Sequence, residues 1–495
     1  MPPWLPEGPR DEFVGDRRLT NDEIQRFRAW YQSGTPEGNP ADLPAPPRFT
    51  EDWFLGKPDL VVQMPKPYTL PAEGHDVYRN FVIPVSLDKP RYVRAVEFRP
   101  GNQRIVHHAF VKVDSSGKVA SLEGADGQPG FGGMNLPESV KMPNGYFLGY
   151  QPGRIPSFEP PGFGWTLRPE QALVVQAHLR PTGKPETLQA QVGLYFTDVP
   201  PTNITRVLAL SSLSLDIPAG TNDYLVQDSF TLTVEADVLA VLPHTHYLGK
   251  RLEGFARLPD GQIRQLLLIP KWDFNWQGDY RYTQPVHLPA GTTLEMRYVY
   301  DNSSANPNNP NRPPKEVLFG PQSSDEMAEL WFQLKLANQQ DAAHLAHDYN
   351  QKNLKLFVSY NEFRLNRDPH NAEARTELGF TQWTEGRLEE AMKSFQTAII
   401  DAPKYDQPHY YLGVIYRTQN QLAAARDEFE TAIRLNPKNA KAFGNLGLVC
   451  LGLGDIDKAE RSLREAARLD PTDALARDTL AHLQQARQAN PPSNH

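Results

Sequence analysis

The dipeptide Leu378-Gly379 recurs as Leu412-Gly413 and Leu446-Gly447, each copy 34 residues after the one before it. Other positions that repeat at this spacing are Ala391, Ala425 and Ala459; Phe395, Phe429 and Leu463; Ala398, Ala432 and Ala466; and Pro403, Pro437 and Pro471. A fixed period of this length is typical of a solenoid built from helix pairs, and three repeats are enough for a stable stack. The sequence therefore predicts an all-α solenoid over residues 372–488, closed by a helix from Ala474 to Ala486.

The repeat pattern resembles the tetratricopeptide repeat (TPR), in which small residues lie where the two helices touch and proline ends each repeat. This resemblance implies a TPR domain that recruits a protein partner or mediates self-association. Cys450 falls on a core-facing position of the third repeat, so we expect it to pack rather than to react. Residues 341–371, which precede the repeats, are predicted to form a helical linker.

Proline usage changes along the chain, because only seven of the 46 prolines lie beyond residue 340. Before that point, short segments rich in Val, Ile, Phe and Tyr alternate with Gly and Pro clusters. This pattern is typical of a β-sandwich or jelly roll, but about 290 residues is too many for one ordinary sandwich. We therefore predict a tandem pair of β-sandwiches, residues 46–202 and 203–340, in a multidomain chain that is all-β first and all-α afterwards.

The overall composition excludes several classes of protein. A formal net charge of −8 and an isoelectric point near 5.9 provide no basic surface for a nucleic-acid partner. No apolar run approaches the roughly 18 residues that a membrane span needs. The lone cysteine, Cys450, excludes an internal disulfide, a thiolate zinc cluster and covalent haem attachment through Cys-x-x-Cys-His.

Five histidines fall on short apolar, strand-like stretches of the predicted sandwiches. Residues i and i+2 of a strand face the same side, so His244 and His246 can direct both imidazoles to one point. His107 and His108 are neighbours, which can share a metal if the strand is bulged or if the rings use different nitrogens. His178 ends an apolar run and completes a three-histidine set with His107 and His108.

Met327 adds a softer ligand to His244 and His246, and we call these residues the His-His-Met set. A thioether is a poor zinc ligand but a good Cu(I) ligand, so this set favours copper that cycles between oxidation states. Three alternatives stay open on the residues alone. Met327 could be a core residue, Met296 could be the sulfur ligand instead, and zinc could occupy the three-histidine set.

Four motifs in this order resemble the copper type II ascorbate-dependent monooxygenases, the family of the peptidylglycine- and dopamine-hydroxylating enzymes. The matching stretches are His107-His108, Gln176-Ala177-His178, His244-Thr245-His246-Tyr247-Leu248-Gly249-Lys250 and Ser323-Ser324-Asp325-Glu326-Met327. The match covers residues 46–340 and agrees with the two tandem sandwiches. The family resemblance also implies a periplasmic or secreted protein, although the given chain shows no signal peptide.

The resemblance implies two copper ions per chain and an oxidoreductase that hydroxylates a substrate C–H bond. The implied ligands are His107, His108 and His178 for the electron-storing ion, and His244, His246 and Met327 for the ion where oxygen reacts. The implied partners are O2, a reductant (ascorbate or a cytochrome) and an unidentified organic substrate. Gln176 is a candidate positioning residue near the first ion, with an ordinary strand glutamine as the alternative.

Three positions depart from the peptide-amidating branch of this family. That branch binds its substrate carboxylate through an Arg two residues before His-Thr-His, and through Asn and Tyr just after the methionine. This chain has Leu242, Glu329 and Trp331 at those positions. We therefore expect a substrate other than a peptide glycine, and a pocket that is more apolar or otherwise specialised.

Residues 1–45 form a separate segment, in which Thr20 and Glu23 have the spacing of a capping box. The apolar residues that would share one face of the following helix are Ile24, Phe27, Trp30 and Tyr31. The segment resembles the C-terminal remnant of a class I c-type cytochrome, with Met1 as the axial methionine, but it lacks the haem-attachment motif. A plain packing arm on the next domain is the alternative, and a haem domain and export signal upstream stay an open question.

Besides the copper hydroxylase, two other functions compete. The first is a non-enzymatic adaptor that holds copper or another ligand and acts through its TPR repeats, which predicts copper uptake without oxygen consumption. The second is a scaffold in which the repeats alone are active, through residues such as Asn445 and Tyr411.

Overall fold

The computed structural model describes residues 4–45, 53–134, 136–143, 145–147, 149–151, 154–470 and 473–489. The chain divides into two compact units, here called the β unit (Met1–Asn350) and the helical unit (Gln351–His495). This division confirms the predicted order of an all-β region followed by an all-α region. Met1 and Pro471, which were part of the sequence predictions, lie outside the described residues.

The strands of the β unit are short and antiparallel. In chain order they are β1 Leu60–Gln63, β2 Tyr68–Leu70, β3 Val77–Pro84, β4 Arg91–Arg99, β5 Val106–Asp114, β6 Phe131–Gly132, β7 Val140–Lys141, β8 Gly149–Tyr150, β9 Trp165–Leu167, β10 Ala172–Leu179, β11 Glu186–Leu188, β12 Gln191–Thr197, β13 Ile204–Ser211, β14 Asp216–Ile217, β15 Tyr224–Thr231, β16 Ala236–His244, β17 Gly249–Arg257, β18 Ile263–Ile269, β19 Tyr280–Leu288, β20 Thr293–Tyr300, β21 Val317–Leu318 and β22 Glu329–Leu336.

The first sandwich consists of two facing sheets. One sheet has the strand order β1-β12-β4-β9, and the other has the order β6-β3-β10-β5-β7, with β8 beside β5. Residues from both sheets, such as Leu194 and Val175, share one buried core. Val174, the neighbour of Val175, is buried in a smaller cluster on the outer side of β10. Strand β10 is therefore covered on both faces, which explains the apolar run Leu173-Val174-Val175 in its sequence.

The second sandwich has sheets of order β13-β22-β16-β19 and β15-β20-β17-β18. Leu210 and Phe332 from the first sheet and Tyr298 from the second belong to one core. Strand β12 ends at residue 197 and β13 begins at residue 204, on either side of the predicted division between residues 202 and 203. Strands β16 and β22 pair side by side in this sheet, and the His-His-Met set lies at their ends.

The N-terminal segment contains the helix α1 (Asn21–Gln32) and the predicted capping box, which is confirmed. The Thr20 hydroxyl accepts the Glu23 backbone N–H at 3.1 Å, and the Glu23 carboxylate accepts the Thr20 backbone N–H at 2.6 Å. Before the helix, Phe13 is buried against the second sandwich beside Tyr282, so this stretch packs as an arm. The aromatic face of α1 is exposed, with Trp30 at 48% of its full surface.

The helical unit is a series of antiparallel helix pairs. The helix α2 (Gln339–Arg367) contains the position in the chain where the β unit ends and the helical unit begins. The helices that follow it are α3 Ala372–Thr384, α4 Leu388–Asp401, α5 Asp406–Thr418, α6 Leu422–Leu435, α7 Ala440–Gly452, α8 Ile456–Leu469 and α9 Ala474–Ala489. The small residues lie where the helices touch, as predicted. A Cβ added to Gly413 would lie 2.8 Å from the Phe429 ring, and one added to Gly447 would lie 2.5 Å from Leu463 Cγ.

Cys450 is fully buried in the core of the third repeat, and burial raises the pKa of its thiol, so the predicted packing role is confirmed. Within the described residues, no helix is long and apolar enough to cross a membrane.

Candidate metal centre

The three-histidine set is assembled by the pairing of β5 with β10. His108 lies directly opposite His178 in this pairing, and their ring centroids are 4.8 Å apart. The register then shifts, because Leu179 pairs with Val106, which leaves His107 as the extra residue of a β-bulge. The bulge places the His107 ring 5.2 Å from that of His178, although the two histidines of β5 are neighbours in sequence. One nitrogen from each of the three rings lies within 4.8 Å of the others.

The two histidines of the His-His-Met set lie at the end of β16. His244 is the last residue of the strand, His246 follows two residues later, and their ring centroids are 5.3 Å apart. Thr245 turns away from them and donates its hydroxyl to Glu326 at 2.8 Å. The ring of His244 is only 5.8 Å from that of His108. The three-histidine set and the His-His-Met set, which the sequence predicts as two ligand sets, are therefore contiguous.

Gln277 connects the two sets through its side-chain amide. Its Nε2 donates to His107 Nε2 at 3.1 Å, and its Oε1 lies 2.7 Å from His244 Nδ1. Since an amide oxygen only accepts, His244 carries its proton on Nδ1, and its Nε2 lone pair stays available. A single side chain in the loop before β19 thus sets the orientation of one ring in each set.

His246 is held by one ring nitrogen only. Its Nδ1 donates to the backbone carbonyl of Asp325 at 3.0 Å, whereas its Nε2 is buried without a hydrogen-bond partner in the described residues. Such a hydrogen bond at one nitrogen fixes the tautomer and directs the other nitrogen as a ligand atom. His108 Nδ1 is likewise buried with no partner in that part of the chain.

The Glu326 carboxylate fixes the loop that carries His246. It accepts the backbone N–H groups of His246 at 2.8 Å and of Leu248 at 2.6 Å, in addition to the hydroxyl of Thr245. Burial raises the pKa of Glu326 to about 7, although these hydrogen bonds act in the opposite direction. The segment Ser323–Met327 therefore supplies two contacts, a carbonyl for His246 and a carboxylate for its loop, directly before Met327.

His178 is oriented by two residues that the sequence analysis did not single out. Asp76 accepts from His178 Nε2 at 2.9 Å, and the hydroxyl oxygen of Tyr78 lies 3.2 Å from His178 Nδ1. The Tyr78 hydroxyl donates its proton to the carbonyl of Pro321, so Nδ1 of His178 keeps its lone pair. Burial would raise the pKa of Asp76, but hydrogen bonds from His178 and Ser323 lower it below its ordinary value.

Burial keeps three of these imidazoles neutral at physiological pH. It lowers the pKa of His107 to about 2 and that of His246 to about 3, and it lowers the pKa of His108 well below the ordinary value. A neutral imidazole has one ring lone pair, which a metal requires, and in His107 the lone pair on Nε2 accepts from the Gln277 amide. Neutral rings with two buried, unpartnered nitrogens are therefore a donor set that fits a metal ion.

A cavity of about 170 Å³ lies against both sets and is lined by residues of both sandwiches. Met327 lines it together with His244, and the Met327 side chain is 8% exposed. Met296, the competing sulfur, is buried in the core of the second sandwich. Met327 therefore lines the same cavity as His244, whereas Met296 packs in the core.

Four further predicted positions lie in the wall of the same cavity. Gln176 accepts a hydrogen bond from Lys112 Nζ at 3.0 Å and donates to the carbonyl of Met134 at 3.0 Å. Leu242, Glu329 and Trp331 also line the cavity, and the Trp331 indole donates to Glu329 at 3.0 Å. The three positions at which the sequence departs from the resemblance thus share one cavity with Gln176.

The residues that sequence reasoning missed are the partners of the histidines. Glu326 lay inside a quoted motif, so its position was a usable signal. Asp76 and Gln277 lie in loops with no motif, and only the folded chain brings them to His178 and His107.

Comparison with known proteins identifies the helical repeats. Models of the tetratricopeptide repeat match residues 372–399 and 410–474. The chain is similar to the crystal structure of MamA, with 24% identity over 28% of this chain and 81% of that one, and a TM-score of 0.26. It is also similar to the first TPR of Spaghetti (RPAP3) bound to an HSP90 peptide, with 21% identity over 24% of this chain and 96% of that one, and a TM-score of 0.24. No curated protein matches the chain.

Proposed function

We propose that the β unit is a copper-dependent monooxygenase that hydroxylates a substrate C–H bond with O2 and an external reductant. The observation that carries the proposal is the cluster of five imidazoles, four of them buried, beside a cavity that Met327 also lines. A set that combines imidazole with thioether suits copper better than zinc. The TPR repeats support a protein-interaction domain, which would bring this enzyme to a protein partner.

Two copper ions per chain are proposed. The residues that would hold them are His107, His108 and His178 for one ion, and His244, His246 and Met327 for the other. Bound copper would supply one-electron redox chemistry and a site for O2. Asp76, Gln277 and the carbonyl of Asp325 orient the rings through hydrogen bonds.

The reductant, whether ascorbate or a cytochrome, and the periplasmic or secreted location remain predictions from the family resemblance. Gln176 is proposed to line the substrate space rather than to ligate copper, because Lys112 and Met134 already occupy its amide.

The test is metal analysis of the purified full-length protein, followed by oxygen uptake with ascorbate in the Met327→Ile variant. We expect two copper ions per chain in the unaltered protein, and at least about a tenfold loss of copper-dependent oxygen uptake in the variant, because the thioether is lost. The matched control is Met296→Ile, a similar change in the core that should cost less than about 1.5 kcal/mol and retain oxygen uptake. Undiminished uptake by Met327→Ile would contradict the assignment.

A second candidate function is a copper-holding adaptor that acts through its repeats, and the tetratricopeptide matches favour it. It predicts copper uptake by the same residues with no oxygen consumption above that of the copper-free protein. The experiment above separates the two functions, since both predict bound copper and only the enzyme predicts turnover.

A further inference from the structure

Lys112 is a cation at the cavity wall without an ionic partner. Its Nζ lies 3.0 Å from Gln176 Oε1, and within the described residues no carboxylate lies within ion-pair distance of it. Burial lowers the pKa of Lys112, so the ammonium is only partly solvated. An ammonium has three N–H donors, and a partly buried charge needs a counter-charge or several acceptors. The Lys112 end of the cavity is therefore suited to bind an anion or a strong hydrogen-bond acceptor.

A second polar group in the same cavity, the side-chain amide of Gln151, has an atom without a hydrogen-bond partner in the described residues. The Oε1 atom of Gln151 is buried without a hydrogen bond in the described part of the chain, and Gln151 lines the cavity. The oxygen and nitrogen of a side-chain amide are assigned from their surroundings, so either can face a ligand. Buried polar groups of this kind are normally satisfied, which points to a polar ligand in this space.

The cavity has a positive charge on one wall, at Lys112, and a negative charge on another wall, at Glu329. Glu329 belongs to β22 of the second sandwich, where the Trp331 indole already donates to it. Glu329 lies directly opposite His244 where β16 pairs with β22, so its charge lies toward the histidine end of the cavity. An anionic ligand would avoid that end and turn its charge toward Lys112.

The rest of the lining limits the size and polarity of the ligand. The apolar side chains are Phe110, Met134, Met142, Leu242 and Trp331. A volume of about 170 Å³ is close to that of an apolar cavity that holds one benzene ring. Gln176 and His178 are two residues apart on one strand, which separates them by about 7 Å along β10. A ligand that reaches from the ammonium to the histidines is thus short, with about six carbons.

We propose that this cavity binds a short-chain monocarboxylate, with its carboxylate on Lys112 and its apolar end beside His178, His244 and Met327. In the proposed monooxygenase, this ligand class would be the substrate, and the carbon to be hydroxylated would lie at the end remote from the carboxylate. The substrate assignment rests on the proposed function, whereas the binding itself does not require any metal or turnover.

The test is titration calorimetry of the metal-free, full-length protein with hexanoate and with hexanamide. We expect hexanoate to bind at least about tenfold more tightly than hexanamide, because only the carboxylate gains a charge-assisted hydrogen bond. The Lys112→Met variant should lose this preference by weakening hexanoate at least about tenfold, while hexanamide changes little. The matched control is Lys184→Met, an exposed lysine of the same sandwich, which should leave both affinities unchanged.

Equal affinity of the unaltered protein for the two probes would overturn the proposal, and this comparison requires no variant to fold. An unchanged hexanoate affinity in Lys112→Met would overturn it as well. Hexanoate binding without oxygen uptake would leave the carboxylate site standing and reject the monooxygenase, whereas oxygen uptake without hexanoate binding would do the reverse.

Discussion

His246 is satisfied at one ring nitrogen and unsatisfied at the other. Its Nδ1 has the Asp325 carbonyl, whereas its Nε2 and the Nδ1 of His108 are buried without partners in the described residues. Each buried polar atom of this kind costs about 1–3 kcal/mol. A bound metal ion would remove that cost, so the same atoms that destabilise the metal-free protein would stabilise the metal-bound form.

These neutral histidines predict how the stability of the metal-free protein depends on pH. The folded pKa values of His107 and His246 are about 2 and 3, below the unfolded value of 6.5, so only the unfolded chain gains protons as the pH falls below 6.5. As the pH falls from 6 to 4, each such histidine lowers the free energy of unfolding by about 1.4 kcal/mol per pH unit. Glu326, with its pKa raised to about 7, acts in the opposite direction between about pH 4.5 and 7.

The histidine contribution is measured by urea unfolding of the full chain at several pH values. His246→Asn can still donate to Asp325 but has no titrating ring, so its pH slope should be smaller by about 1.4 kcal/mol per unit. His75→Asn, at an exposed position, should keep the slope of the unaltered protein. Equal slopes for His246→Asn and the unaltered protein would show that His246 is not buried in its neutral form.

At the scale of single elements, one irregularity in a strand builds the three-histidine set. A regular β5 would direct His107 and His108 to opposite faces, because strand side chains alternate. The bulge opposite the end of β10 adds one residue and lets both rings meet His178. In the helical unit, a single glycine has a comparable effect, because Gly447 lets α7 approach α8 closely at Leu463.

Two glycines of α7 provide a matched test of that helix contact. Gly447→Ala should destabilise the repeats by about 1–3 kcal/mol, because the new methyl group would lie 2.5 Å from Leu463 Cγ. Gly444→Ala has only ordinary contacts, at 3.6 Å or more, and should stabilise the same helix by up to about 1 kcal/mol. Thermal unfolding followed by the helical circular-dichroism signal measures both. The same shift for the two variants would contradict the packing described for α7 and α8.

At the scale of the β unit, polar contacts join the two sandwiches around the histidines. Asp76 accepts from His178 of the first sandwich and from the backbone N–H and hydroxyl of Ser323 in the second. Arg281 and Glu159 add an ion pair of 2.8 Å between the same two sandwiches. Asp76 thus acts both on the orientation of His178 and on the junction that brings the two sets together.

The variant Asp76→Asn tests this double role. We expect a loss of about 2 kcal/mol in the free energy of unfolding at neutral pH, because a largely buried carboxylate loses charge-assisted hydrogen bonds. Copper affinity should fall at the same time by about 10- to 100-fold, which is typical when an oriented ligand loses its partner. Asp223→Asn breaks an ion pair whose aspartate is 77% exposed, and it should change stability by less than about 0.5 kcal/mol and leave copper affinity unchanged. Equal effects of Asp76→Asn and Asp223→Asn on stability and copper affinity would show that Asp76 does not orient His178.

Several strand and helix positions could be predicted from the sequence because local patterns dictate them. The apolar run of β10 and the 34-residue period of Leu378, Leu412 and Leu446 are visible without any tertiary information. Strand β22 could not be predicted in this way, since its sequence around Trp331 mixes polar and apolar residues whose burial depends on β16 and β13 on either side.

The sequence by itself determined the order of β and helical units, the repeat boundaries, and the residue types of both predicted ligand sets. Only the tertiary structure decided that the sets adjoin, that Gln277 and Asp76 orient their rings, and that Lys112 faces the same cavity. The physical reason is that periodicity and capping act over a few residues. The site, in contrast, depends on contacts such as Asp76 with Ser323, whose partners are 247 residues apart and meet only when two sandwiches pack together.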